Sequence, residues 1–144
     1  MDFSIVNIPL LIAAGVALFA ISVHIYTFEK FFWPGLKVEG FPSYPLGPPV
    51  VVMTMYRTVW HFFTVNLLLT IILCAGVGFG TLIPYGPLLI IFLMIFWVCI
   101  VLEIFIVAAL SMKHGESYVG VMIQSPQWVL VVTMLVFMYM GVRP

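Results

Sequence analysis

Four long apolar segments limit what this chain can fold into. They cover roughly residues 8–32, 50–79, 88–111 and 125–142. About 20 helical residues cross the hydrocarbon core of a bilayer, and a helix satisfies its own backbone hydrogen bonds there. The chain is 65% hydrophobic and only 7% charged, whereas a soluble domain has about 25% charged residues. The sequence therefore predicts an all-α, polytopic membrane protein. We expect an up-down bundle of four transmembrane helices, with residues 1–144 in one domain.

Signals for helix ends lie beside two of these segments. Asn7 is placed to cap the first helix, with Pro9 in its first turn, where proline is tolerated. Ser125 and Pro126, in the stretch "SPQW", are placed to start the fourth helix. The residues before the first segment include an acidic residue and no basic one. We therefore expect this segment to be retained as a helix rather than cleaved as a signal peptide.

Basic residues in the short loops predict the orientation. Lys30, Lys37 and Lys113 fall on one side of the predicted bundle, and only Arg143 falls on the other. Cytoplasmic loops carry an excess of Lys and Arg. We therefore expect a protein of the bacterial inner membrane with the two longer loops in the cytoplasm and both termini outside.

Besides Lys30, five Glu, Arg or His residues lie inside the apolar segments, all in the predicted cytoplasmic half. At 1.5 Å rise per residue, His24, His61 and Glu103 lie about 12–15 Å below that surface, in three different helices. Glu29 and Arg57 lie about 6–9 Å deep. Because Arg57 and His61 are four residues apart, they share one helix face, and an arginine facing lipid is costly. We expect that face to point into the bundle, with Glu29 pairing Arg57, and with His24 and Glu103 next to His61.

This polar cluster has a structural interpretation and two functional ones. Polar side chains often hold membrane helices together without any chemistry. As a metal site, His24, His61 and Glu103 would form a two-histidine, one-carboxylate set suited to Fe, Mn or Zn, with Cu a further candidate. Alternatively, the two histidines would be axial ligands of haem b, with Arg57 pairing a propionate. Against the metal interpretation, the chain lacks an E-x-x-H pair, which supplies metal ligands in many helical bundles.

The second functional interpretation is a binding or accessory subunit. The same five side chains would bind a quinone or an anionic lipid headgroup. The protein would then be a homo-oligomer or a subunit of a larger membrane complex. A proton path is disfavoured because the outer half of the helices lacks ionisable residues. The net charge of zero gives no reason to expect nucleic acid binding. An accessory or ligand-binding role is the preferred prediction, and no enzymatic reaction is assigned.

Two motifs also carry a resemblance. They are H-x4-E, with His24 and Glu29, and R-x2-W-H, with Arg57, Trp60 and His61. Together with "SPQW", they resemble the motifs of uncharacterised small bacterial four-helix integral membrane proteins. The resemblance covers most of the chain. It implies a four-helix architecture and no particular activity.

Overall fold

The predicted all-α class is confirmed. The computed structural model describes residues 6–35, 48–81, 85–112, 117 and 127–143, and these contain helices and no strand. The helices are α1 (Ile8–Thr27), α2 (Pro49–Gly78), α3 (Gly86–Ser111) and α4 (Gln127–Val142). A π-helical turn, Phe28–Phe32, and a 3-10 turn, Trp33–Gly35, follow α1 directly.

Three of these helical stretches are long and apolar enough to cross a membrane. They are Ile8–Lys30, Pro49–Gly78 and Gly86–Leu110, with 23, 30 and 25 residues. The fourth helix is apolar but has only 16 residues. Its predicted start at Ser125 and Pro126 lies outside the described residues, as do the loop lysines Lys37 and Lys113.

The first helix lies between α2 and α4 and packs along both of them. Its buried positions include Leu10, Ala13, Ala17, Ala20 and His24, which are alternately three and four residues apart. This spacing puts one continuous seam on one helix face, as in a coiled coil. Small side chains let neighbouring backbones approach closely. Ala13 and Ala17 are both 0% exposed, so this seam packs against the neighbouring helices.

Asn7 links the start of α1 to the ends of α2 and α4. Its side-chain oxygen accepts a hydrogen bond from the Leu10 N–H at 3.3 Å, so the predicted cap is present. Its side-chain amide donates to the Gly141 carbonyl oxygen at 2.6 Å, and its backbone N–H donates to the Gly78 carbonyl oxygen at 2.9 Å. Hence α1 begins where α2 and α4 end, and it runs antiparallel to both.

Towards its second half, α3 contributes less to the core. Ile90, Leu93 and Trp97 are buried in its first half, whereas Ala108 is the buried residue that the structure describes beyond Trp97. A cleft therefore opens between α2 and the second half of α3, at the end of the bundle opposite Asn7.

Candidate functional site

The candidate site is a cavity of about 420 Å³ in this cleft. Its walls are mostly aromatic and aliphatic. The longest walls come from Val59, Trp60, Phe62 and Phe63 on α2 and from Phe96, Ile100, Glu103 and Ile104 on α3. Small-molecule sites typically combine an apolar wall with a few polar groups that fix orientation. Here the polar side chains are His24, Glu103 and Gln127, one each from α1, α3 and α4. The Trp60 indole, whose N–H is a hydrogen-bond donor, lies in the same wall.

His24 is held rigidly at the back of the cavity. The residue is 4% exposed, and its ring stacks on the Trp60 indole with centroids 4.2 Å apart and planes 9° apart. The Phe63 ring lies 4.8 Å away. The Nε2 atom lies 3.3 Å from the Trp60 carbonyl oxygen. A carbonyl oxygen only accepts hydrogen bonds, so this contact places a proton on Nε2. In the neutral ring, Nδ1 is then an acceptor.

The other two polar groups approach from the far side of the cleft. Glu103 follows Phe96 and Ile100 on one stripe of α3, because positions three and four apart share a helix face. Gln127 stands in the first turn of α4. Within the described part of the chain, the side chains of Glu103 and Gln127 have no hydrogen bond or ion pair. Both are therefore available to a ligand.

Aromatic rings form a continuous column beside the cavity. Successive ring centroids are 4.2–5.7 Å apart. In order, the rings are Trp33, Phe28, Trp60, His24, Phe63, Trp97 and Phe96. The Trp97 N–H donates to the Thr70 hydroxyl at 2.9 Å, in the buried core. The column fixes the side chains that line the cavity, because each ring packs on the next.

The π-helical turn positions one end of this column. The Trp33 N–H bonds back to the Phe28 carbonyl, five residues earlier. Phe28 is 0% exposed and stacks on Trp60 at 4.3 Å. Single π turns are often found at functional sites. Here the turn places Phe28 on Trp60 and Glu29 beside Arg57.

The predicted pairing of Glu29 with Arg57 is confirmed. Their closest charged atoms are 3.5 Å apart, and the two side chains are 41% and 42% exposed. The Arg57 guanidinium also lies 4.5 Å from the centre of the Trp33 ring. This second contact is a cation–π interaction, and the sequence analysis did not predict it. The pair lies outside the cavity lining that the structure describes.

The predicted position of His61 is wrong. His61 is exposed, and Trp60 occupies the inner face of α2 against His24. Successive helical residues differ in direction by about 100°, so the two side chains cannot both face α1. His61 is absent from the described residues that line the cavity, and its nearest ring contact is Phe28 at 6.3 Å.

The three proposed metal ligands are therefore only partly brought together. His24 and Glu103 line one cavity, and His61 does not. The residues that the structure describes contain no group of three or more His, Cys, Asp or Glu that could hold a metal ion. Metal, haem and quinone binding each stay a prediction.

Sequence reasoning missed Trp60, Phe63 and Gln127 as site residues. The available signal was the R-x2-W-H motif, in which the tryptophan faces inward beside the histidine. Another was the position of Gln127 directly after the predicted helix start. Of the two cysteines, Cys74 is buried and Cys99 is exposed, and both are free. Neither lines the cavity.

Comparison of the chain with protein-family models, curated proteins and solved structures gives no match. The resemblance to small bacterial four-helix membrane proteins therefore stays a prediction, and the site has to be interpreted from its own geometry.

Proposed function

We propose that this chain is a polytopic inner-membrane protein that binds an apolar small molecule with a polar head. The ligand occupies the cleft between α2 and α3, and quinones are the class that fits best. One observation carries the proposal. It is that a cavity of about 420 Å³ combines aromatic walls with the polar side chains of His24, Glu103 and Gln127.

The surface exposure of two lining residues supports a ligand that enters from the bilayer. Phe62 lines the cavity and is 62% exposed at the surface of α2. Glu103 is also exposed at the surface of α3. The cleft thus opens between two helices, on the side where lipid would lie. An isoprenoid or acyl tail enters such an opening at little cost, because both the tail and the walls are apolar.

The aromatic walls support a ring-shaped head group. Phe62, Phe63 and Phe96 line the cavity, and aromatic pairs in offset or edge-to-face contact gain about 0.5–1.5 kcal/mol beyond simple burial. Quinones combine such a ring with two polar oxygens. The polar side chains from α1, α3 and α4 are the groups that would orient these oxygens.

The membrane arrangement is part of the proposal. Four antiparallel helices cross the bilayer in up-down order, and the cleft lies in the cytoplasmic half. Both termini lie outside. The protein acts as a homo-oligomer or as an accessory subunit of a larger membrane complex. The support is its size, its apolar surface and the antiparallel contacts at Asn7.

A cavity-filling substitution tests the binding site. Ile104 lines the cavity, whereas Ile106 on the same helix is 58% exposed and is not among its lining residues. In phosphatidylcholine nanodiscs, calorimetric titration with a short-tailed benzoquinone and its reduced quinol should show saturable binding to the wild-type protein. Ile104→Trp should abolish this binding, and Ile106→Trp should preserve it. Equal heats from all three proteins and from empty nanodiscs would show only partitioning into lipid, and the proposal would fail.

A further inference from the structure

We infer that the head group bound in this cleft is a hydrogen-bond donor, so that the cleft prefers the reduced quinol to the oxidised quinone. The inference rests on the proposed function and names the form of the ligand.

The first step is the hydrogen bond of His24. Its Nε2 atom lies 3.3 Å from the Trp60 carbonyl oxygen, which fixes the proton of the neutral ring on Nε2. The ring packs against Trp60 and Phe63, and this packing favours the orientation in which Nε2 faces that carbonyl oxygen. Within the described chain, Nδ1 has no donor. His24 therefore presents an acceptor to the cavity.

The second step concerns the facing side chains. Glu103 has no donor among the described residues, and its carboxyl oxygens accept hydrogen bonds. Gln127 both donates and accepts. His24 and Glu103 thus offer acceptors to the ligand. The Trp60 indole, a donor, lines the same cavity, and a ligand hydroxyl can accept from it while donating to His24. A buried acceptor such as that of His24 is left unsatisfied when the ligand brings no donor, and this is costly in an apolar site.

These requirements separate the two forms of one ligand. A quinone has two carbonyl oxygens, which only accept. The corresponding quinol has two hydroxyl groups, each of which donates one hydrogen bond and can also accept. Ring and tail are the same, so both forms bury the same apolar surface. The preference arises at His24 and Glu103, and one additional satisfied hydrogen bond corresponds to roughly a tenfold difference in Kd.

The test compares the two forms on the same protein. Wild-type protein in nanodiscs is titrated anaerobically with a two-isoprene benzoquinol and with the matching benzoquinone. The Ile104→Trp protein, whose cavity is filled, measures how much of each probe simply partitions into the nanodisc lipid. The quinol should bind about tenfold more tightly. Glu103→Gln, which places an amide donor at an exposed position, should reduce the preference to less than about threefold. His24→Phe, which keeps the ring stack and removes the acceptor, should do the same.

Each other outcome contradicts the inference. If Ile104→Trp abolishes binding but wild type binds quinone as tightly as quinol, the cleft is a quinone site without a donor preference. A third titration, with decylammonium, tests a cationic head group. If decylammonium binds more tightly than the quinol, the cleft prefers a cation and the inference is wrong. If wild type and Ile104→Trp take up all probes equally, the proposed function itself fails, and the inference fails with it.

Discussion

At the scale of single residues, the charge of Arg57 is offset from two directions. Glu29 approaches to 3.5 Å, and the Trp33 ring lies 4.5 Å below the guanidinium. Both carboxylate and guanidinium are about two-fifths exposed, so surroundings of high polarity would screen the ion pair. The planar contact with Trp33 is specific to arginine, because a lysine ammonium lacks the flat face that stacks on an indole.

A double-mutant cycle measures the two contributions separately. Glu29→Ala and Arg57→Ala should show a coupling free energy of about 0.5 kcal/mol, since the pair is half-exposed. Arg57→Ala should destabilise the fold more than Glu29→Ala, because it also removes the contact with Trp33. The measurement is unfolding in mixed micelles as the fraction of denaturing detergent rises. Arg57→Lys is the control: it should retain the coupling and lose stability relative to wild type. A coupling of zero would show that the two side chains do not interact.

At the scale of helices, α1 packs closely between α2 and α4. Leu10 is 0% exposed, and a Cβ added to Gly141 would lie 2.5 Å from its Cγ. A Cβ at Gly78 would meet the Leu11 Cδ2 at 2.7 Å. At Gly15, on the same helix as Leu10, a Cβ would meet nothing within 4 Å. Close approach thus depends on two glycines near the end of the bundle that Asn7 joins.

Alanine substitutions at these glycines should have opposite effects. Gly141→Ala should destabilise the fold by about 1–3 kcal/mol, because a buried leucine must move. Gly15→Ala should stabilise it by up to about 1 kcal/mol, since alanine has the better helix propensity. Melting temperatures in one detergent would rank the variants. If both raise the melting temperature equally, α1 and α4 are not in close contact at Gly141.

Asn7 offers a second test at this scale. Asn7→Ala removes both the cap and the hydrogen bond to Gly141, and should cost about 1–2 kcal/mol. Asn7→Ser keeps a capping oxygen and loses the amide donor without adding a charge. Its stability should therefore lie between alanine and wild type. A serine variant as stable as wild type would show that the bond to Gly141 contributes nothing.

The whole molecule has one end joined by Asn7 and one end opened by the cleft. The hydrophobic segments predicted the helices: the bounds of α2 and α3 lie within two residues of the predicted ones, and α1 begins at the predicted residue and continues into the π-helical turn after Thr27. The fourth helix ends at the predicted residue, and its predicted start lies outside the described residues. The Glu29–Arg57 pair followed from opposite charge at similar depth. His61 was placed wrongly because depth does not determine direction around a helix. The cleft was not predicted, because it depends on how α3 packs on α2, and an evenly apolar helix gives no direction in its sequence.

The proposed orientation leads to a prediction for the whole molecule. A cysteine at Thr81, which is exposed between α2 and α3, should react with an impermeant maleimide in intact cells. A cysteine at Ser43 should react only after the cells are opened, because the proposed orientation, based on the excess of lysines, puts that loop in the cytoplasm. The wild-type protein, with Cys74 and Cys99, gives the background. Labelling of Ser43→Cys alone in intact cells would reverse the orientation.

The central claim is that the cleft between α2 and α3 is a ligand site, and photo-crosslinking tests it most directly. An azidoquinone with a short isoprenoid tail is activated on the protein in nanodiscs, and the modified peptides are mapped by mass spectrometry. We predict labelling within Val59–Phe63 and Phe96–Ile104, reduced by excess unlabelled quinol and absent from Ile104→Trp. Labelling spread over exposed residues away from the cavity, such as Phe92 and Ile95, and unaffected by competitor would contradict the account.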